Sequence, residues 1–306
     1  MIDTMILHHY DGSPYAEKIR LMFGLTGASW QSLIAPAWPP RPNLDPLTGG
    51  YRRIPVAQIG ADIFCDTAII GEEVAALTGS AALDKSQVDS EALALMIRAE
   101  KEVFFSAIRS ISPLRLITTM LLSFGPIGMS KFAKDRGQLM KGGSSRAPSP
   151  EQAKEIMSAF LAELEQRLSV QDWLSGSEAS VADLTVYHPL WLHVNCTRKP
   201  LKAGKHVTQW FDRVAELGHG KCQQIDGAAA HAAARDNEPR AVTETGNDAL
   251  LGQQVEVAPT DYGVVPVAGR LVSVTDSRIV LARDTADYGI LHVHFPRADY
   301  GITPVQ

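Results

Sequence analysis

Asp11-Gly12-Ser13-Pro14-Tyr15-Ala16-Glu17-Lys18-Ile19-Arg20 decides how this chain begins to fold. Before it, Met5-Ile6-Leu7-His8-His9-Tyr10 is a short apolar run closed by Asp-Gly, the pattern of a buried strand and a turn. After it, Ala16, Ile19, Met22 and Phe23 recur at helical spacing, with Gly24 or Gly27 as a stop. Ser13 therefore falls at the N-cap and Pro14 at the first helical position, where a missing N–H costs nothing. A side-chain oxygen there sits in the positive field of the helix end, which favours an anion such as a thiolate. Taken alone, the stretch requires Ser13 only as a cap.

Outward from it, residues 28–35 read as a second strand, followed by a Pro-rich loop over 36–46. Residues 49–60 and 61–67 form a hairpin turning at Gly60. A helix from Thr67 carries Ile69, Ile70, Val74, Ala75 and Leu77 and stops at Gly79. This order resembles the thioredoxin-like N-terminal domain of glutathione transferases, and three motifs match in sequence. Ser13-Pro14-Tyr15-Ala16 stands where that family keeps a catalytic Ser, Cys or nearby Tyr. Ile54-Pro55-Val56 is similar to its Val-Pro segment with a cis proline, and Asp66-Thr67 to its acidic-plus-hydroxyl pair.

Past residue 80 the period is helical. Residues 86–112 predict one long helix, which Pro113 breaks or kinks. The segment 114–140 is apolar and then basic, and 142–150 is a loop. Ser149-Pro150-Glu151-Gln152 opens the next helix as a capping box and runs to about Leu168. Trp173-Leu174-Ser175-Gly176 followed by Ser180-Val181-Ala182-Asp183 resembles a second transferase signature, at the start of a buried helix of the all-α domain. Ser180 and Asp183 each satisfy donors at that helix start, a reciprocal cap worth about 1 kcal/mol; Asp183 is a folding element. Pro189 kinks or ends that helix, and residues 206–217 form another. The resemblance covers roughly residues 4–236.

From residue 240 the chain is linker-like and then switches to period two. Short strands are expected at 254–257, 269–274, 278–282 and 289–295. Asp-Tyr-Gly recurs at 261–263, 287–289 and 299–301, and the first and third copies continue as (Val/Ile)-x-Pro-Val. These copies read as turns, too unevenly spaced and too poor in carboxylates for a calcium repeat. Their tyrosines suit a contact face. At about 60 residues the module is marginal alone and is expected to pack on the helical body.

The expected architecture is thus an α/β thioredoxin-like domain over 1–80, an all-α domain over 86–236 and a small all-β module over 248–306. With 306 residues, 45% apolar, 21% charged and a net charge of −5, the chain has a core and no basic footprint for nucleic acid. Three scattered cysteines, Cys65, Cys196 and Cys222, without CxxC, suit a reducing compartment. The start, Met1 to Thr4, has no basic segment of a signal peptide. The longest uncharged apolar stretch, 116–129, is shorter than a membrane span and contains Gly125-Pro126. A cytoplasmic location without membrane contact is expected. His8 and His9 point to opposite faces of a strand and cannot chelate one ion. His292 and His294 share a face, but no acidic or Cys partner is evident at ligand spacing, so no metal is expected.

The resemblance implies an enzyme, a homodimer, that activates the thiol of glutathione, its co-substrate, for attack on a small electrophile. It implies a catalytic Ser13, which donates to the sulfur and lowers its pKa, with Tyr10 and Tyr15 as rival hydroxyls. Glutathione would lie along the strand edge at Pro55, its cysteinyl backbone pairing with Val56. Asp66 would take the γ-glutamyl ammonium, and Thr67 its carboxylate. Arg52 or Arg53, beside Ile54, would meet the glycyl carboxylate. A disulfide reductase is disfavoured, since Ser13 forms no mixed disulfide. The alternative, motivated by the β module and the extra residues 113–147, is a non-catalytic binding or scaffolding protein of the same fold. Because the module carries no catalytic grouping, a chain ending near Glu238 is expected to fold and still bind glutathione, while becoming less soluble or altered in oligomeric state.

Overall fold

The structure is a computed structural model that describes residues 4–305; the expectation drawn from Met1 to Asp3 lies outside the described residues. Four strands, β1 (Ile6–His9), β2 (Ser29–Ile34), β3 (Val56–Ile59) and β4 (Asp62–Cys65), alternate with α1 (Pro14–Thr26), α2 (Asp45–Thr48) and α3 (Thr67–Thr78). The Ser13 hydroxyl accepts the Ala16 N–H at 3.2 Å, Pro14 opens α1, and Gly27 at φ 66° ends it. β1 runs parallel to β2 and antiparallel to β3, which pairs antiparallel with β4.

The helical layer departs from expectation at its start. The long helix expected over 86–112 runs continuously from Ser90 to Arg109, as α4 (Ser90–Arg98) and α5 (Phe104–Arg109) joined through a π turn at Ala99–Val103, and a 3-10 turn at Lys85–Gln87 stands before it. Asp89 sets the late start, because its carboxylate accepts the N–H groups of Glu91 and Ala92. Pro113 opens α6 (Pro113–Leu139), which Gly125 breaks at φ 66° and ψ 176°, just before Pro126. Among the described residues α6 is the one helix long and apolar enough by composition to cross a membrane. α7 (Pro150–Leu168) and α8 (Val181–Thr197) each begin with the expected capping box, and Pro189 stays inside α8. Asp183 accepts from the N–H groups of Leu174 and Ser180 and from the Trp210 indole, fully buried, as a folding element should. Trp210 lies on α9 (Lys205–Glu216).

Beyond α9 the chain returns to the sheet. β5 (Lys221–Gln224) adds to β2 in parallel, and α10 (Gly227–Arg235) follows. The C-terminal module has the four expected strands, β6 (Gln254–Pro259), β7 (Val267–Val274), β8 (Arg278–Thr285) and β9 (Gly289–Pro296), and a fifth, β10 (Tyr300–Pro304). It packs chiefly on the N-terminal sheet and meets the helical body only at its margin, where Gly263 donates to the Leu139 carbonyl and Tyr262 lies against Phe105. β9 joins β4 in parallel, pairing Asp62, Ile63 and Phe64 with His292, Val293 and His294, so that one ten-stranded sheet runs β10-β6-β7-β8-β9-β4-β3-β1-β2-β5.

The buried clusters follow that topology. One joins a sheet face (Leu7, Phe64) to α1, α3 and the helical layer (Phe160, Trp210). The second joins Ile54, Val56, Ile63 and Cys65 to Val255, Leu271, Leu281 and Phe295 of the module. A module of this size supplies little core of its own and shares one with the N-terminal sheet. A chain ending at Glu238 would therefore leave the β4 edge unpaired and this second cluster open to water. The expected result is aggregation by light scattering and loss of β signal in circular dichroism; a soluble, folded truncation would contradict the shared core.

Candidate active site

Two of the sequence motifs bring their residues to one place because both are helix starts above the ends of strands. Asp66 is the N-cap of α3, accepting the Ala68 N–H at 3.1 Å, and it holds a positive φ of 88°. That backbone region is costly for a residue with a side chain, of order 1–3 kcal/mol, and marks a place where the surroundings dictate the geometry. Tyr15, one residue into α1, packs its ring on Phe104 and His188 at centroid distances of 4.7 and 5.2 Å. His188 is fully buried, and burial pushes its pKa down to about 3, so it stays a neutral platform.

Between these helix starts opens a cleft of about 430 Å³. Its thioredoxin-like side carries Tyr15, Arg53, Ile54, Pro55, Asp66 and Thr67, with a cis bond between Ile54 and Pro55. Its helical side carries Glu100, Lys101 and Phe105, and Lys18 reaches across to Glu100 at 2.7 Å. The third wall was not expected: Ser144 and Ser145 from the loop after α6, and Asp261, Tyr262, Asp299 and Tyr300 from the β module. The signal for it lay in the first and third Asp-Tyr-Gly copies, which read as turns. Both deliver an Asp and a Tyr to the cleft, while Tyr288 of the second copy sits against His231.

Arg53 binds these walls together. Its guanidinium donates to Asp66 Oδ2 at 3.1 Å, to Asp261 and to the Tyr262 carbonyl, and lies over the Tyr262 ring at 4.0 Å. Burial disfavours its charge, but the surrounding tyrosines and Asp66 hold its pKa above the ordinary value. Asp66 Oδ2 also accepts the Tyr300 hydroxyl at 3.1 Å, and Tyr300 shares a 2.7 Å hydrogen bond with Tyr51. Burial pushes both phenols well above their ordinary pKa. The carboxylate expected to await an ammonium thus already has three donors inside the chain.

The remaining expected residues fall elsewhere. Arg52 turns away to an ion pair with Asp135 of α6. Val56 is fully buried in β3 between His8 and Cys65 and does not line the cleft. Ser13 is buried behind its cap and, like Tyr10, does not border the cleft; Tyr15 does. His292 and His294, for which no acidic partner was evident, meet Asp62 across the β4–β9 junction.

Sequence comparison agrees with this architecture. The model of the glutathione S-transferase N-terminal domain matches residues 7–81, and that of the C-terminal domain matches residues 113–217. A GST-like protein from Pseudomonas syringae is 32% identical, with 98% of this chain and 99% of that one covered and a TM-score of 0.74. A glutathione S-transferase from Rhodospirillum rubrum F11 is 16% identical over 69% of this chain and 87% of its own, with a TM-score of 0.49. No curated protein matches. The chain belongs to the glutathione S-transferase family, with a thioredoxin-like domain, a helical domain and a C-terminal strand-rich extension.

The Tyr51–Tyr300–Asp66 chain gives the cleft a measurable coupling. Tyr300→Phe should cost about 1–3 kcal/mol in denaturant unfolding, since it leaves buried partners short of a hydrogen bond. With Tyr51→Phe the two effects should be non-additive by about 0.5 kcal/mol or more. Additive losses would mean that the hydroxyls act separately.

Proposed function

We propose that this protein is a glutathione transferase whose cleft holds the tripeptide between the thioredoxin-like domain and the β module. The supporting observation is the convergence of Tyr15, Arg53, Ile54, Pro55, Asp66 and Thr67 on that one cleft. The α3 N-terminus and the Thr67 hydroxyl suit the γ-glutamyl carboxylate, where helix-end N–H groups favour an anion. Asp66 suits the ammonium through lone pairs that Arg53, Tyr300 and Ala68 leave free, since a carboxylate accepts about four hydrogen bonds. Lys18 and Lys101, which also line the cleft, supply cations for a second carboxylate, while Arg53 stays beside Asp66.

Tyr15 takes the activating role here, ahead of Ser13. Burial, and then Tyr262, push the Tyr15 phenol well above its ordinary pKa, so it remains a donor across neutral pH. A donor aimed at sulfur stabilises the thiolate over the thiol and raises its share near pH 7. The thiolate then attacks a small electrophile held toward Phe105 and the helical layer. A homodimer in the cytoplasm completes the proposal on the family pattern. The three donors already on Asp66 favour a second reading, a scaffold of transferase fold that binds no glutathione.

Calorimetry of the full chain with reduced glutathione at millimolar concentration separates the two readings: saturable heat supports the enzyme and none supports the scaffold. Tyr15→Phe should lower glutathione-dependent turnover of a generic aryl halide about 10- to 100-fold, the value of a hydrogen bond to a charged group, with little change in affinity. Asp66→Ala should weaken binding by about 1.5–3 kcal/mol. Full activity in Tyr15→Phe together with loss in Ser13→Ala would return the role to Ser13.

A further inference from the structure

We propose that Asp62, His292 and His294 form a binding site for one divalent transition-metal ion of the zinc type, which fastens β9 to β4. The three residues come from strands far apart in sequence, and the parallel register sets Asp62 directly opposite His292. Period two then puts His294 on the same side of the sheet. One ligand atom from each residue lies within 4.8 Å of the others. Asp62 Oδ1 is 2.8 Å from His294 Nε2 and 4.0 Å from His292 Nδ1.

The longer distance is informative. At 4.0 Å the His292 nitrogen makes no hydrogen bond, and it is a buried atom with no partner among the described residues. Two ligands on one tetrahedral zinc, at bonds of 2.0–2.2 Å, stand about 3.4 Å apart, between the two distances seen here. An ion at Oδ1 would satisfy the orphaned nitrogen by small shifts of the imidazoles. Two imidazoles and one carboxylate suit zinc better than magnesium or calcium, which take oxygen ligands.

Apart from the His294 Nε2 hydrogen bond at 2.8 Å, which an ion would replace, the surroundings leave Oδ1 for this use. The other oxygen, Oδ2, accepts the Arg240 backbone N–H at 2.9 Å and faces its Nε at 3.4 Å. Arg240 and Arg278 are themselves held by Glu73, at 2.9 and 2.6 Å, which offsets their charge beside the site. Phe64 stacks on the His294 ring at 4.6 Å and fixes its orientation. The site lies on β4 and β9, whose ends lead on to Asp66 and to Tyr300. An ion there would stiffen the junction beneath the cleft without entering it.

The test uses the untagged full chain, stripped with chelator and titrated with zinc chloride by calorimetry, and with cobalt chloride followed by visible absorption. One equivalent should bind saturably, the cobalt form should show the bands of a tetrahedral nitrogen–oxygen site, and zinc should raise the melting temperature. His292→Gln should weaken binding about 100-fold or more and abolish the thermal shift. Because His292 Nδ1 has no hydrogen bond to lose, this variant folds even where His294→Gln does not. Absence of saturable binding, or binding unchanged in His292→Gln, would overturn the proposal.

Discussion

The Arg53 guanidinium sits where the thioredoxin-like sheet, the start of α3 and the β module meet, and its donors are divided among Asp66, Asp261 and the Tyr262 carbonyl. An arginine buried to this degree needs such partners, because an unpaired charge out of water costs several kcal/mol. Given Arg53, the rest of the cleft is constrained. Asp66 must keep its carboxylate turned inward, and its backbone holds a positive φ to do so. The first Asp-Tyr-Gly segment must also reach the cleft. Removal of the module would therefore disturb the thioredoxin-like half of the site as well as its cover.

The segment 113–147, expected to be extra but matched as the start of the C-terminal transferase domain, and the β module hold each other in place above that cleft. Ser144 and Ser145 donate their N–H groups to the carbonyls of Thr260 and Asp261, and Gly263 donates to the Leu139 carbonyl. Gly143 makes this contact feasible, since a Cβ there would fall 1.8 Å from the Asp261 carbonyl oxygen. The buried Arg52–Asp135 pair carries the end of α6 back to the N-terminal domain. The segment and the module thus form one continuous wall that encloses the cleft.

What could be read from sequence was local. Ser13-Pro14, Asp66-Thr67, Ser149–Gln152 and Ser180–Asp183 each announce a helix start through contacts of two to four residues, and all four begin helices where expected. The period-two runs of the module were equally legible as strands. Their placement was not, because a parallel pairing such as β4 with β9 leaves no local trace. Asp62 and His294 stand 232 residues apart, so an acidic partner for the histidines was invisible. β5, Lys-Cys-Gln-Gln, is exposed and has no apolar alternation to betray it. The place of the Ser13 hydroxyl outside the cleft lining was hidden for a related reason. Cap geometry is local, whereas the hydroxyl that borders the cleft depends on how Phe104 and His188 seat Tyr15.

The central claim is that the β module and the thioredoxin-like domain are one cooperative sheet. Native-state hydrogen exchange tests it most directly, because it reads the opening free energy of each strand separately. The account predicts that the amides of β4, β8 and β9 exchange through a common opening, at the free energy of global unfolding. Exchange of residues 254–304 through a separate opening of much lower free energy, with β4 still protected, would contradict it.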